Sequence, residues 1–345
     1  MRERVVILGA AGFIGRVLRK HLGGRYALTS VDREWRSPPG EAYERQLTMD
    51  VGDPAAVEQL MVDMELEGNN LAGVIDLVAH YDFKNKPDPR YRSVETGLEI
   101  LLKRMGERLA SHVPFLYASS MASLEPTEPG RKLSEQSPRA GHWAYPAHKV
   151  RCEKIMEAAD IPQPRVQLVL AAVYSDWCEL VPLYKQIERV RASTLANFYP
   201  GPTDRGLTYV HVEDVARAFE RALVVGRGSN GVMRQLVGED APVTYQQIQD
   251  TASEIFHGNK GTVLRVPRIL AKTGAAVLGA VGSEDFIKPW MIDFAGEHFE
   301  FDLSSTRSVL DWNPRHDLQL ELAPMIQRAH GDPERWRTLN DARPY

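Results

Sequence analysis

The feature that most constrains this chain is an apolar run leading straight into spaced glycines. Residues 5–8 read Val-Val-Ile-Leu, followed by Gly9-Ala10-Ala11-Gly12-Phe13-Ile14-Gly15. A run this apolar suits a parallel strand buried on both faces, and the glycines behind it permit the sharp turn that opens a helix near Phe13. Such a turn aims free backbone amides at the space above the strand end, where a pyrophosphate binds. Gly9, Ala11, Gly12, Phe13, Ile14 and Gly15 are therefore candidate dinucleotide-binding positions. The spacing is Gly-x-x-Gly-x-x-Gly, which taken alone also fits a plain strand-turn-helix.

The chain continues in the same rhythm. Strands are expected at residues 26–31, 45–49, 73–78, 114–118 and 166–170, alternating with helical stretches, and this order implies βαβ units and a parallel sheet. Asp53-Pro54 reads as the N-cap and first residue of one of those helices. Beyond Tyr174 the rhythm fades. A loop at 200–202, a short strand running into a helix over 209–225, a strand at 232–237 and a helix at 244–256 suggest a smaller lobe interleaved with returns to the sheet.

Bulk properties narrow the class of partner. With 345 residues, 43% hydrophobic and 26% charged, the chain can bury one large core or two lobes. A net charge of −4 gives no electrostatic footprint for nucleic acid or an anionic membrane surface. Two cysteines, Cys152 and Cys178, are too few for a disulfide framework. With a strand beginning a few residues after Met1, the expectation is a cytoplasmic protein without a signal peptide or an integral membrane segment. Residues 266–281 are apolar but too short to span a bilayer and are interrupted by Lys272, so they read as a helix over a substrate pocket.

Three further groups carry chemistry. Asp32, at the end of the second strand, stands where an acid bonds the adenosine ribose hydroxyls and repels a 2′-phosphate, which favours NAD. NADP stays open because Arg33 and Arg36 follow closely. Tyr145-Pro146-Ala147-His148-Lys149 puts a phenol and an ammonium on one helix face. A free tyrosine phenol, with a usual pKa of about 10, is a poor base at neutral pH, and a neighbouring cation favours its phenolate. Ser120 closes the fifth strand, at the carboxyl edge where ligands bind in such sheets. His80-Tyr81-Asp82 follows the fourth strand and is a candidate substrate contact. His142 and His148 read as two exposed helix histidines rather than metal ligands, so no metal is expected. Trp143 reads as packing or pocket wall.

Taken together, the glycines, Asp32, Asp50-Val51, Ser120 and Tyr145-x-x-x-Lys149 resemble the extended short-chain dehydrogenase/reductase family, the NAD-dependent epimerase/dehydratases. Residues 209–215, Tyr-Val-His-Val-Glu-Asp-Val, and the pairing of 302–305 with 310–314 resemble two of its later motifs. The resemblance implies Tyr145 as acid/base, Lys149 as the ligand of the nicotinamide ribose, and Ser120 as the hydroxyl that positions the substrate oxygen. It implies Asp50 and Val51 at the adenine, and Leu77, Val78 and Ala79 along the cofactor. His80 and Tyr174 join Ser120 as substrate positions. The expected fold is α/β: a Rossmann doubly wound parallel sheet over 1–173, with returns around 206–238, and a smaller C-terminal substrate-binding lobe over 174–205 and 239–345.

Departures from the pattern bear on substrate. Leu207-Thr208 stand where nucleotide-sugar enzymes of the family carry a phosphate-binding arginine, and residues 169–175 lack the family's arginine and asparagine. A diphosphate without charge-assisted partners loses its strongest anchors. Arg205 or Lys288 is the available substitute. Met121-Ala122 replace the dehydratases' Asp-Glu pair, Asp76 a usual histidine, and Ser93 a usual asparagine. The first reading is hydride transfer between the nicotinamide and the carbinol or carbonyl carbon of a hydrophobic alcohol or ketone that is not nucleotide-linked. The alternatives are a nucleotide-sugar 4-epimerase and a non-catalytic NAD(H) sensor or scaffold. A homodimer is compatible with the sequence.

Overall fold

The computed structural model describes residues 2–35, 40, 42–82, 85–192, 198–260, 263–273 and 288–341. Its first half alternates strand and helix: β1 (Arg4–Leu8), α1 (Phe13–Gly23), β2 (Ala27–Asp32), β3 (Glu44–Thr48), α2 (Pro54–Glu67), β4 (Leu71–Asp76), α3 (Pro89–Arg108), β5 (Phe115–Ser120), α4 (Ala144–Ala158) and β6 (Arg165–Leu170). Then come β7 (Ala172–Tyr174), α5 (Val181–Ala192), β8 (Phe198–Tyr199), β9 (Gly206–Leu207), β10 (Tyr209–His211), α6 (Val212–Gly226), β11 (Val232–Val237), β12 (Val243–Thr244), α7 (Tyr245–His257) and β13 (Leu264–Arg265). Three helices end the described chain: α8 (Ser304–Leu310), α9 (Leu318–Gly331) and α10 (Pro333–Asp341).

Seven strands form one parallel sheet in the order β11-β6-β5-β4-β1-β2-β3. The order reverses at β1, so a crevice opens above the carboxyl ends of β1 and β4, the switch point of a doubly wound sheet. Helices α1 and α6 cover one face, with Leu18, Leu22, Phe219 and Leu223 in a core that includes Ile7, Leu116 and Leu168. Helices α2, α3 and α4 cover the other, where Val57, Met61, Leu98, Leu102 and Met156 meet Val6, Val74 and Phe115. The central strands β1 and β4, buried on both faces, read as near-continuous apolar runs, whereas the edge strand β3, Glu-Arg-Gln-Leu-Thr, is polar and partly exposed. Asp53 caps α2 through the Ala55 amide at 3.0 Å, with Pro54 behind it.

Two expectations shift. The fourth strand lies two residues earlier than 73–78, and Leu77 and Val78 belong to the loop after it, because β4 pairs with β1 through Leu71–Asp76. Of the stretch 206–238 only β11 returns to the main sheet. β10 pairs with β7 and β9 with β12 in separate ladders.

A smaller core lies beyond the sheet, formed by Tyr184, Ile187 and Val190 of α5, Ile248 of α7, Leu322, Met325 and Ile326 of α9, and Trp336. Its connection to the sheet runs through Asp214 on α6. That fully buried carboxylate accepts the amides of Arg315 (2.7 Å) and His316 (3.0 Å) and pairs with Arg217, while its backbone carbonyl accepts Trp312 Nε1 at 3.1 Å. Asp214→Ala removes a buried carboxylate and leaves two partly buried amides and Arg217 without their acceptor, an expected loss of roughly 1–3 kcal/mol in urea unfolding. Asp214→Asn, which keeps a carbonyl acceptor, is expected to lose clearly less. Equal losses in the two variants would contradict this role.

Candidate active site

The glycine turn is built by close approach. Gly9 has φ +76°, a left-handed value that strains any other residue, and a Cβ there would come within 3.1 Å of the Leu77–Val78 backbone. A Cβ on Gly15 would lie 2.5 Å from the Gly9 carbonyl oxygen. The Gly9 and Ala10 amides are used by the Val31 carbonyl, at 2.9 and 3.1 Å. Gly12 is the N-cap of α1, and no side chain caps that helix. The exposed end of α1 thus faces the crevice with donors and a positive dipole end, the arrangement that suits a pyrophosphate.

Asp32 lies against this turn. Its Oδ2 accepts the Ala11 amide at 2.8 Å and its Oδ1 the Arg33 amide at 2.7 Å. Arg33 is largely exposed and lies 3.9 Å from Asp50, whose other oxygen accepts the Gly52 amide at 2.9 Å. Asp32, Arg33, Asp50 and half-buried Val51 therefore gather at one side of the crevice, and Leu77, Val78, Ala79 and His80 continue from β4 across its floor. Arg36 lies outside the described residues.

At the opposite side α4 meets the end of β5. Lys149 is 2% exposed, and its Nζ donates to the Ala118 carbonyl (2.7 Å) and the Tyr117 hydroxyl (3.1 Å). The same ammonium lies 5.9 Å from the centre of the Tyr145 ring. Ser120, two residues beyond Ala118, is half-buried, and its Oγ accepts the Ala122 amide at 3.3 Å, starting the turn Met121–Ser123. Tyr145 packs edge-on against Tyr81, with centroids 4.5 Å apart, and lies 5.7 Å from Trp143. Asp76, at the end of β4, is buried. Its carboxyl is pushed up to about 6 by that burial, against the pull of the Val78 amide and Lys149.

Beside Tyr145 opens a cavity of about 570 Å³. Tyr81, Met121, Ala122, Trp143 and Pro146 line its near end, and Tyr199, Leu207, Tyr245, Trp290, Phe294 and Phe299 form most of its apolar wall. Its size is ordinary for a small-molecule site.

Several expectations change here. His148 is not exposed. It is fully buried, its Nδ1 meets Glu95 at 2.9 Å, and burial together with Lys149 pulls its imidazole down to about 4. His142 is exposed and faces Glu125 at 3.4 Å. Tyr174 is 1% exposed, donates to Glu321 at 2.9 Å and is not among the residues lining the cavity. Of the apolar stretch 266–281, the described residues 266–273 leave Ile269 and Leu270 in solvent and do not line the cavity, and 274–281 lie outside the described residues. The cavity wall comes instead from the turn Pro289–Asp293 and the residues after it. Arg205 is taken by Glu128 and the Gly296 carbonyl.

The residues that sequence reasoning missed are Glu153, Lys185 and Arg189. Glu153, one turn beyond Lys149 and fully buried, accepts Ser119 Oγ, Ser123 Oγ (2.7 Å), Arg139 and Arg234 (3.2 Å), so it fixes both flanks of Ser120. Lys185 and Arg189 of α5 line the cavity. Two clusters bring metal-type ligands within 4.8 Å of one another, His211-Glu213-His316 and His80-Asp82-Asp88. In the first the imidazoles stack at 3.8 Å and 26°, which sets their in-plane lone pairs side by side rather than converging. In the second, Asp88 is already engaged by Arg90.

The family model for the NAD dependent epimerase/dehydratase family matches residues 5–232. This chain belongs to that family. No curated protein matches it. Its fold is similar to WbmG of Bordetella bronchiseptica, solved with NAD and UDP (16% identity, 96% of each chain, TM-score 0.68). It is similar also to dTDP-glucose 4,6-dehydratase of Bacillus anthracis, solved with NAD (15%, 98% of this chain and 99% of that one, 0.69). A third, UDP-glucose 4-epimerase of Thermotoga maritima with UDP-glucose, matches at 15% identity, 96% of this chain and 100% of that one, with TM-score 0.67. Among the described residues no helix is long and apolar enough to cross a membrane.

The Asp32 carboxylate faces the crevice beside the glycine turn and holds the Ala11 amide. Asp32→Ala is therefore expected to weaken NAD and NADP alike in calorimetric titration, NAD by more, so that the preference narrows. Wild-type protein binding NADP more tightly than NAD would show Arg33 outweighing Asp32.

Proposed function

We propose that this family member is an NAD-dependent oxidoreductase that moves a hydride between the nicotinamide and a carbinol or carbonyl carbon of a largely apolar substrate not linked to a nucleotide. The observation that carries this reading is the aromatic-walled cavity beginning beside Tyr145 and Met121, where Leu207 stands at the place of a family phosphate arginine.

The residues present fit a dinucleotide. The backbone cradle at Gly9 and Gly15 has no room for a Cβ, the end of α1 is uncapped, and Asp32 flanks it. Bound there, NAD supplies the hydride acceptor or donor. Lys149 spends two donors on Ala118 and Tyr117 and keeps a third for a ribose hydroxyl. Tyr145 takes the hydroxyl proton when an alcohol is oxidised and returns it when a ketone is reduced. Ser120, held on both sides through Glu153, donates its hydroxyl to the substrate oxygen and fixes the carbinol for transfer. The Tyr81 and Trp143 rings around Tyr145 exclude water and confine the substrate's apolar part. We place this activity in a reducing compartment, the cytoplasm, because Cys152 and Cys178 are both buried and neither forms a disulfide.

A nucleotide-sugar 4-epimerase is the second reading, favoured by the two cations on α5. It uses the same Tyr145 and Lys149 but returns the hydride to the opposite face of a transient ketone.

Tyr145→Phe is expected to lower the turnover of NADH with apolar ketones by at least about a hundredfold, the scale of a lost general acid, while NAD affinity stays within a few-fold. Retention of most activity would remove Tyr145 from the chemistry.

A further inference from the structure

Aromatic rings run in series from the proposed acid/base into the cavity. Tyr145 meets Trp143 with centroids 5.7 Å apart, Trp143 meets Trp290 at 5.1 Å, and Trp290 meets Phe294 at 5.9 Å. Successive planes are inclined by 39°, 41° and 69°, so the rings do not close into a stack on one another. Trp312 and Trp336, in the two cores, are each 1% exposed. Trp143, Trp290 and Phe294 are only half-buried, Tyr81 beside them is 37% exposed, and all four line the cavity. Trp143 also sits where local structure does not ask for it. It is the N-cap of α4, a position at which Ser, Thr, Asp or Asn bonds the first free amides, and its side chain caps nothing. The cap comes from outside the helix: Asn85 Oδ1 accepts the Ala144 amide at 3.0 Å, from a backbone held at φ +50°. The helix start thus gives up a cap of its own to keep an indole beside Tyr145, a break with local preference of the kind found at functional sites.

We infer that the substrate is a planar aromatic compound, a ketone or secondary alcohol carried on a fused ring system that lies against Trp143 and Trp290, with the reacting carbon at the Tyr145 end. This deepens the oxidoreductase reading and rests on it for the reacting end alone. A planar π system meets inclined rings through offset and edge-to-face contacts, which add to the burial of its surface. A saturated body of the same skeleton gains only the burial. Against aliphatic walls the saturated body, with more apolar surface, would be held the better of the two. The cavity of about 570 Å³ has room for a fused ring system.

The test compares two methyl ketones on NAD-loaded full-length protein, 2-acetylnaphthalene and its saturated counterpart 2-acetyldecalin. With the cofactor oxidised and both ligands already ketones, no hydride moves, and affinity is read by calorimetric titration without turnover. The naphthyl ketone is expected to bind at least about fivefold tighter, although the decalin ketone is the more hydrophobic. Trp143→Leu together with Trp290→Leu is expected to weaken the naphthyl ketone about tenfold and the decalin ketone by less than about threefold. Trp143→Phe with Trp290→Phe, which keeps a ring at both positions, is expected to retain the naphthyl preference. The wild-type comparison stands even where the leucine variant does not fold. Equal affinities, a tighter decalin ketone, no binding of either, or a naphthyl preference that survives both leucines would overturn the inference. Displacement of the naphthyl ketone by UDP where inorganic pyrophosphate fails would assign the rings to a nucleobase and overturn it too. A protein that reduces saturated ketones fails this test and keeps the hydride-transfer reading, and one that turns over no ketone can still pass it.

Discussion

A buried ammonium holds the site together. Lys149 lies almost wholly out of water, and a charge in that position is costly unless it is fully engaged. The Ala118 carbonyl and the Tyr117 hydroxyl provide two acceptors, and the buried carboxyl of Asp76 lies close enough to feel its charge. Those three groups belong to the ends of β5 and β4, so one contact locks α4 onto the carboxyl edge of the sheet. Tyr145, a turn earlier on the same helix, is thereby fixed over that edge, and Trp143 and Pro146 beside it become the near wall of the cavity.

The rest of the site leans on the same helix. One turn further along, Glu153 collects two serine hydroxyls and two guanidinium groups, and those serines bracket Ser120. The position of Ser120 relative to Tyr145 is thus set by contacts within α4 and its adjoining loop, not by the substrate. The remaining cavity wall is contributed by α5, α7 and the segment around Trp290; α5 and α7 pack with α9 in the small lobe's core, and the chain just before α9 is held to α6 by Asp214. In the proposed reaction the chemistry falls to the sheet edge and the selectivity to the smaller lobe.

How much of this was legible follows from the range of the interactions. The glycine turn, Asp32, Ser120 and the Tyr145–Lys149 pair are local patterns whose meaning depends on a strand end or one helix face, and they gather around the crevice as their spacing implied. His148 was misread because its burial depends on Glu95, 53 residues away. Tyr174 lies next to family-like residues, yet its hydroxyl is used by Glu321, 147 residues on. Lys185 and Arg189 carry no pattern at all. On a helix with charges at 185, 188, 189 and 191 they read as a solvated face, and only the packing of residues 289–299 opposite them makes that face a wall. Of the short ladders β7–β10 and β9–β12, only β10 was legible, as the short strand ahead of α6, since strands of two or three residues have no periodicity to read.

The most direct test of the central claim is to follow nicotinamide reduction, by its near-ultraviolet absorbance, when NAD-loaded protein is mixed separately with apolar secondary alcohols, with UDP-glucose and with dTDP-glucose. The account predicts that NADH accumulates with at least one of the apolar alcohols, while chromatography recovers both nucleotide sugars unchanged. Conversion of UDP-glucose or dTDP-glucose into another nucleotide sugar, with no NADH formed from the alcohols, would contradict the account and make this chain a nucleotide-sugar enzyme.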